Sequence, residues 1–144
     1  MTPTCINLKF FLEFGRCNGS MSLNISDNDH QLGFLENVNG IKEFNYEISL
    51  PNKINLHLSN KNTKTDTKID LQGGIIADKY VKLISMSLGG IPINSMNLFK
   101  ICRYTVNGQI DFNTYWGFNG LVEIEFNEIN FLKWHLKSNN LFDI

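Results

Sequence analysis

At 144 residues, 42% of them hydrophobic, the chain can build one domain with a substantial core and is short for two, so a single domain over residues 1–144 is expected. Thirteen Lys and Arg stand against fourteen Asp and Glu, with neither sign gathered into a block, which leaves no basic face for nucleic acid or anionic lipid and excludes both as partners. No stretch approaches the roughly 18 apolar residues of a membrane span.

The amino-terminal stretch MTPTCINLKFFLEFGR has no basic region followed by an unbroken apolar one, because Lys9 and Glu13 interrupt it; no signal peptide is expected. Leu8, Phe10, Leu12 and Phe14 instead share one face of a strand over residues 7–14. Asn18-Gly19 is a turn signal, and Met21, Leu23 and Ile25 alternate with polar residues after it, so the two strands are expected to pair as a hairpin. That pairing makes Met1, and not Met21, the expected start of the functional chain. Asn39-Gly40 precedes a strand carrying Phe44, Tyr46, Ile48 and Leu50, which Pro51 closes before Ile54, Leu56 and Leu58 open the next. Residues 75–88 predict a long strand, bulged or straight, ending at Gly89-Gly90. Between Ile93 and Val106 a short helix competes with a strand. Asn107-Gly108 and Asn119-Gly120 mark two further turns, the second leading into Val122, Ile124 and Phe126, and residues 129–142 predict a last strand and tail. Many short strands between turn signals, with hardly any helix, predict an all-β antiparallel sandwich of jelly-roll type.

Three carboxylates, Asp66, Asp70 and Asp78, fall within thirteen positions of a polar loop between strands. Hard cations such as calcium collect six to eight oxygens from such groups, although the spacing is not that of an EF-hand. The alternative is that these aspartates cap turns and are balanced by Lys61, Lys64, Lys68 and Lys79. A second candidate is the TYWGFNG stretch. Tyr115 and Trp116 could stack on sugar rings, with Asn113 and Asn119 placed to bind hydroxyls. Against that, Trp116 and Phe118 at i, i+2 could both face the core. Trp134-His135 has no partner at metal spacing. Glu123 and Glu125 share the solvent face of a strand, and no hydrolase, phosphate-binding or dinucleotide motif is present, so an enzyme is not expected. Three cysteines, Cys5, Cys17 and Cys102, without C-x-x-C spacing, point to free thiols.

Taken together, EFGRCNGSMSLNIS, FNYEISLPNKINLHLSN and ADKYVKLISMSLGG resemble the small xylan-binding, calcium-dependent carbohydrate-binding modules over roughly residues 8–90. The family has a glycine-containing turn into a strand, then an apolar strand ending in an Asn-Asp pair, then an acidic loop leading to an Asp-headed strand that stops at glycine. The resemblance implies a β-sandwich that binds glycan through calcium, with Asn60 and Asp78 as ligands and Asp66 or Asp70 completing the set. Lys61 stands where the family has an acid, and Ser20 follows a turn where an acid is expected.

Two functions follow as expectations: a non-enzymatic, calcium-dependent glycan-recognition module, or a structural subunit of a phage virion that binds no glycan. The partners are accordingly glycans, other virion subunits or further copies of the chain. Twenty asparagines and sixteen isoleucines beside two arginines fit the codon bias of an AT-rich genome, as in marine bacteria and their phages. With no export signal, the expected location is the host cytoplasm or the virion.

Overall fold

Alternation makes a strand two-faced, and two such sheets bury their apolar faces by packing on each other. The computed structural model describes residues 4–126, apart from 29 and 63. Its strands are β1 (Thr4–Gly15), β2 (Ser22–Ser26), β3 (Gln31–Leu35), β4 (Gly40–Leu50), β5 (Asn52–Ser59), β6 (Thr67–Ile69), β7 (Ile75–Asp78), β8 (Tyr80–Leu88) and β9 (Ile91–Pro92); after a short helix, α1 (Ser95–Ile101), come β10 (Cys102–Val106), β11 (Gln109–Phe112), β12 (Tyr115–Trp116) and β13 (Gly120–Phe126). One sheet runs β12-β8-β1-β4, with β9 also on β8, and the other runs β11-β10-β13-β5-β2-β3. Every pairing is antiparallel. The architecture is thus the antiparallel β-sandwich that the alternation predicts.

The core forms where the two inner faces meet. β1 contributes Leu8, Phe10, Leu12 and Phe14, β5 contributes Ile54, Leu56 and Leu58, and β13 contributes Val122, Ile124 and Phe126, all of them buried. Phe10 stacks on Phe44 of β4 with ring centroids 5.0 Å apart. In β8 the alternation slips once. The register jumps opposite Phe11 and Leu12, leaving Ile84 as the extra residue of a bulge, so Val81 and Leu83 face inward and then Met86 and Leu88 do. The long strand expected over 75–88 is therefore divided at Lys79 and bulged at Ile84.

The hairpin expected between residues 7–14 and 21–26 is not formed. Asn18 and Gly19 do turn the chain with left-handed φ of 59° and 96°, but β1 and β2 lie in opposite sheets. Both edges of β1 are taken, one by β4 and the other by β8, while β2 sits between β3 and β5. Alternation states which face of a strand is apolar and leaves its neighbour undetermined. The connection crosses the end of the sandwich with Cys17, Ser20 and Met21 buried, and the Ser20 hydroxyl accepts the Val38 N–H at 2.7 Å.

Elsewhere local signals and structure agree. Asn107 and Gly108, with φ of 49° and 79°, close the tight β10–β11 hairpin. The ambiguous stretch after Ile93 is α1, capped by Asn94, whose side chain accepts the Asn97 N–H at 2.9 Å, followed directly by β10. Gly120 opens β13 where a Cβ would lie 2.5 Å from the Thr105 carbonyl oxygen. The closing strand expected over 129–142, with Trp134 and His135, lies outside the described residues.

Because β1 is the shared neighbour of β4 and β8, deletion of residues 1–20 should abolish the cooperative thermal transition and the near-UV circular dichroism. A milder probe, Phe10→Ala, should destabilise the chain by about 3–5 kcal/mol in denaturant titration.

Candidate functional site

β6 and β7 pair only with each other, forming a ribbon within the acidic loop. At its tip Asp70 serves the turn, its Oδ1 accepting the N–H groups of Gln72 and Gly74 at 2.9 and 2.8 Å. Asp66 and Asp78 lie at its base, and each holds a lysine. Lys79 Nζ donates to Asp66 Oδ2 at 2.9 Å and to the Asn60 carbonyl oxygen at 2.9 Å. Lys61 Nζ donates to Asp78 Oδ1 at 2.7 Å and to the Gly117 carbonyl, and lies 5.3 Å from the centre of the Phe118 ring. Both lysines are buried, Lys61 at 8% exposure and Lys79 at 3%.

Further donors engage both carboxylates. Asp66 Oδ1 accepts from Asn18 Nδ2 and Thr65 Oγ1, and its Oδ2 accepts the Asn62 N–H at 2.8 Å as well. Asp78 accepts from Thr67 Oγ1 at 2.6 Å and, through Oδ2, from the Tyr115 hydroxyl at 2.9 Å. The Asn62 N–H first, then Lys79 and Asn18, hold the Asp66 carboxyl well below the ordinary carboxylate range. Burial would raise Asp78, but hydrogen bonds from Lys61, Thr67 and Tyr115 outweigh it and keep this carboxyl below its ordinary value too.

Calcium does not fit this donor set. Each lysine ammonium already sits on the oxygens that the resemblance assigns to a cation, and Asp70 is committed to the ribbon tip. Among the described residues no three Asp, Glu, His or Cys side chains converge at metal-binding range. The expected group of Asn60, Asp66, Asp70 and Asp78 is thus split. Asn60 and Asp66 share Lys79, Asp78 takes Lys61, and Asp70 stands apart.

The aromatic stretch divides in a similar way. β12 pairs with the start of β8, Tyr115 opposite Lys82 and Trp116 opposite Val81, so one of its two side chains points in and the other out. Trp116 is the inward one, with 0% exposure and its indole N–H donated to the Asn113 carbonyl at 2.7 Å. The sugar-stacking role expected of Trp116 is therefore closed to it, because the ring is core. Asn119 is committed as well. Its side-chain amide clamps the backbone of Lys61, accepting the N–H and donating to the carbonyl, both at 2.9 Å. Tyr115 remains outside, stacked on Tyr80 at 4.8 Å. Tyr80 in turn lies across Gly15, where a Cβ would meet its ring at 2.0 Å, and donates its hydroxyl to Glu13 at 2.9 Å.

Between the β10–β11 hairpin and residues 113–118 lies a cleft of about 650 Å³. Tyr115, Phe118 and Ile110 give it apolar faces, and Gln109, Asp111 and Asn113 give it hydrogen-bonding groups. Phe118 is 53% exposed, contrary to the core position that i, i+2 spacing with Trp116 allows. The Tyr104 hydroxyl accepts the Phe118 N–H at 2.9 Å and donates to its carbonyl, which holds that backbone at the cleft wall. Gln109, Ile110 and Asp111 were not among the residues expected at a site, since QIDF has the look of any strand. The signal available for them is the tight Asn107-Gly108 turn, which sets β11 at the sheet edge beside β10 with all four of its side chains exposed. Away from the cleft, Glu123 pairs with Lys53 at 3.0 Å, and burial pushes the Cys102 thiol up to about 12.

No protein-family model matches the sequence, and no curated protein does. Solved structures do. The chain is similar to vCBM60 in complex with galactobiose, with a TM-score of 0.53 and 13% identity over 83% of this chain and 97% of that one. It is similar also to the selenomethionine form of vCBM60, described as part of a circular-permutation link between two families of calcium-dependent carbohydrate-binding modules, with a TM-score of 0.52 and 13% identity over 83% and 90% of the two chains. The chain has the fold of a carbohydrate-binding module. The resemblance read from the sequence therefore holds for the fold; the second structure is described in terms of calcium-dependent modules, whereas here Asn60, Asp66 and Asp78 hold lysines.

The depressed Asp66 carboxyl makes stability depend on acid. A carboxyl whose pKa is lower folded than unfolded contributes fully above the unfolded value, about 4, and loses that contribution as pH falls through the folded one. Melting temperatures measured from pH 7 downward should fall below about pH 4. Asp66→Asn should melt lower than the native chain at pH 7 and show a smaller acid-induced drop.

Proposed function

We propose that the chain is a non-enzymatic glycan-recognition module whose ligand lies in the cleft between the β10–β11 hairpin and residues 113–118. The observation that carries this reading is the exposure of Tyr115 and Phe118 beside Gln109, Asp111 and Asn113 in one concavity. Sugar rings present apolar C–H faces that stack on aromatic rings, and a few placed amide and carboxylate groups select their hydroxyls. The shared fold of vCBM60, one form of which holds galactobiose, supports the ligand class. Glycoside hydrolysis needs two carboxyl groups flanking the scissile bond. Among the described cleft-lining residues Asp111 is the sole carboxylate, and Asp78 behind the wall is bound to Tyr115.

A second reading, a subunit of a virion, is favoured by the ribbon. Ile69, Leu71, Ile75 and Ile76 are all exposed there, Leu71 completely, and a cluster of apolar side chains in water marks a contact surface. The two readings are compatible in a glycan binder carried on a phage particle, which the AT-rich composition supports.

Titration calorimetry against soluble galactose- and xylose-based oligosaccharides tests the first reading. Phe118→Ala should weaken binding at least about tenfold, equivalent to about 1.4 kcal/mol, with the melting temperature little changed. Trp116→Ala should instead cost about 3–5 kcal/mol of stability. Absence of binding to any glycan, together with self-association that Leu71→Ser abolishes in sedimentation, would transfer the assignment to the assembly role.

A further inference from the structure

We propose that Lys61 and Lys79 supply internally the positive charge that a calcium ion would bring to Asn60, Asp66 and Asp78, so that this sandwich folds and keeps its loops in place without a divalent cation. Lys79 Nζ bridges the Asn60 carbonyl and the Asp66 carboxylate, each at 2.9 Å. Lys61 Nζ bridges the Asp78 carboxylate and the Gly117 carbonyl. Each ammonium thus joins a carboxylate to a backbone carbonyl, which are the two oxygen types a hard cation collects. An ammonium does so with three directed N–H donors and one charge, and so needs fewer oxygens.

The arrangement ties together parts of the chain distant in sequence. Lys79 joins the end of β5 to the base of the β6–β7 ribbon, and Asp66 extends that link to Asn18 on the β1–β2 connection. Lys61 joins the ribbon base to residues 115–119 through Asp78, Tyr115, Gly117 and the amide clamp of Asn119. A bound cation organises separate loops in the same manner, and here the organising charges belong to the polypeptide. Isolated charges are seldom buried this deeply, because their desolvation is repaid only by close opposite charge and further acceptors. Each lysine has one carboxylate and one backbone carbonyl in contact, and Lys61 has the Phe118 ring as well.

This inference does not depend on glycan binding, and no sugar enters its test. The wild-type chain is melted in excess calcium and in excess chelator, and its tyrosine- and tryptophan-sensitised terbium luminescence is followed. The expected result is the same midpoint within about 1 °C in both solutions, set against the roughly 2.7 kcal/mol that a ligand at a hundredfold excess over its dissociation constant confers, with no luminescence that calcium displaces. A calcium-dependent rise reversed by chelator would overturn the proposal.

Lys61→Met and Lys79→Met keep the apolar stems and remove the charges. Each should melt roughly 5 °C or more below the wild type, whereas Lys9→Met, which removes an exposed 3.9 Å pair with Glu43, should melt within about 2 °C of it. Adding Asp66→Asn to Lys79→Met should recover part of the loss by removing the carboxylate left without its counter-charge. If the buried-site variants melt no lower than Lys9→Met, or if the double variant recovers nothing, the lysines are not acting as the internal cations.

Discussion

Two ammonium groups buried at one end of the sandwich constrain everything around them. Desolvating a charge costs several kcal/mol, and the fold tolerates it only where a carboxylate and further acceptors are brought into contact. Meeting that condition for Lys61 and Lys79 requires the ribbon base, the end of β5 and residues 115–119 to converge, with Asn18 on the connection after β1 reached through Asp66. The stretches around Asn18, Asp66 and Tyr115 are separated by about fifty residues each in sequence. The hydrophobic core holds the two sheets face to face without fixing how the loops at their ends are arranged. The ion pairs do that, and hydrogen-bond direction makes the arrangement specific.

The cleft is a consequence of the same constraint. Tyr115 keeps its orientation because its hydroxyl is anchored on Asp78 and its ring rests on Tyr80, which in turn lies flat on Gly15. Phe118 stays outside because Tyr104 holds its backbone and Lys61 lies at its ring. A strand of two residues, β12, separates the structural tryptophan from the exposed tyrosine by pleat alone. Presenting Tyr115 at the surface therefore costs the core nothing, since its neighbour fills the interior.

Strand positions, the tight turn at Asn107-Gly108 and the sandwich class were legible in the sequence because they depend on local periodicity and on backbone φ. Which strand lies beside which was not. The Leu8–Phe14 and Met21–Ile25 alternations look the same whether the strands pair with each other or face each other across a core. The acidic loop was legible as a special place, and so was the aromatic stretch. The roles within them stood between two alternatives, and the one with lysine-balanced or turn-capping aspartates and a core Trp116 is the one formed; which lysine reaches which carboxylate was not legible. Asp66 and Asp78 look alike in sequence to Asp70, yet two are charge partners and one caps a turn. Lys61, at the position where the resembled family has an acid, was the clearest sign in the sequence that these carboxylates face an ammonium, as Asp78 does.

The β6–β7 ribbon is anchored at its base and free of both sheets along its length. Changes between Lys68 and Ala77 would leave the main core and the lysine pairs intact, and lengthening a loop adds closure entropy only slowly. The segment has in effect been separated from the requirements of folding. A lineage carrying this scaffold can vary its outermost surface by exchanging a single short stretch of the gene, and a protein engineer can graft foreign sequence at the same place.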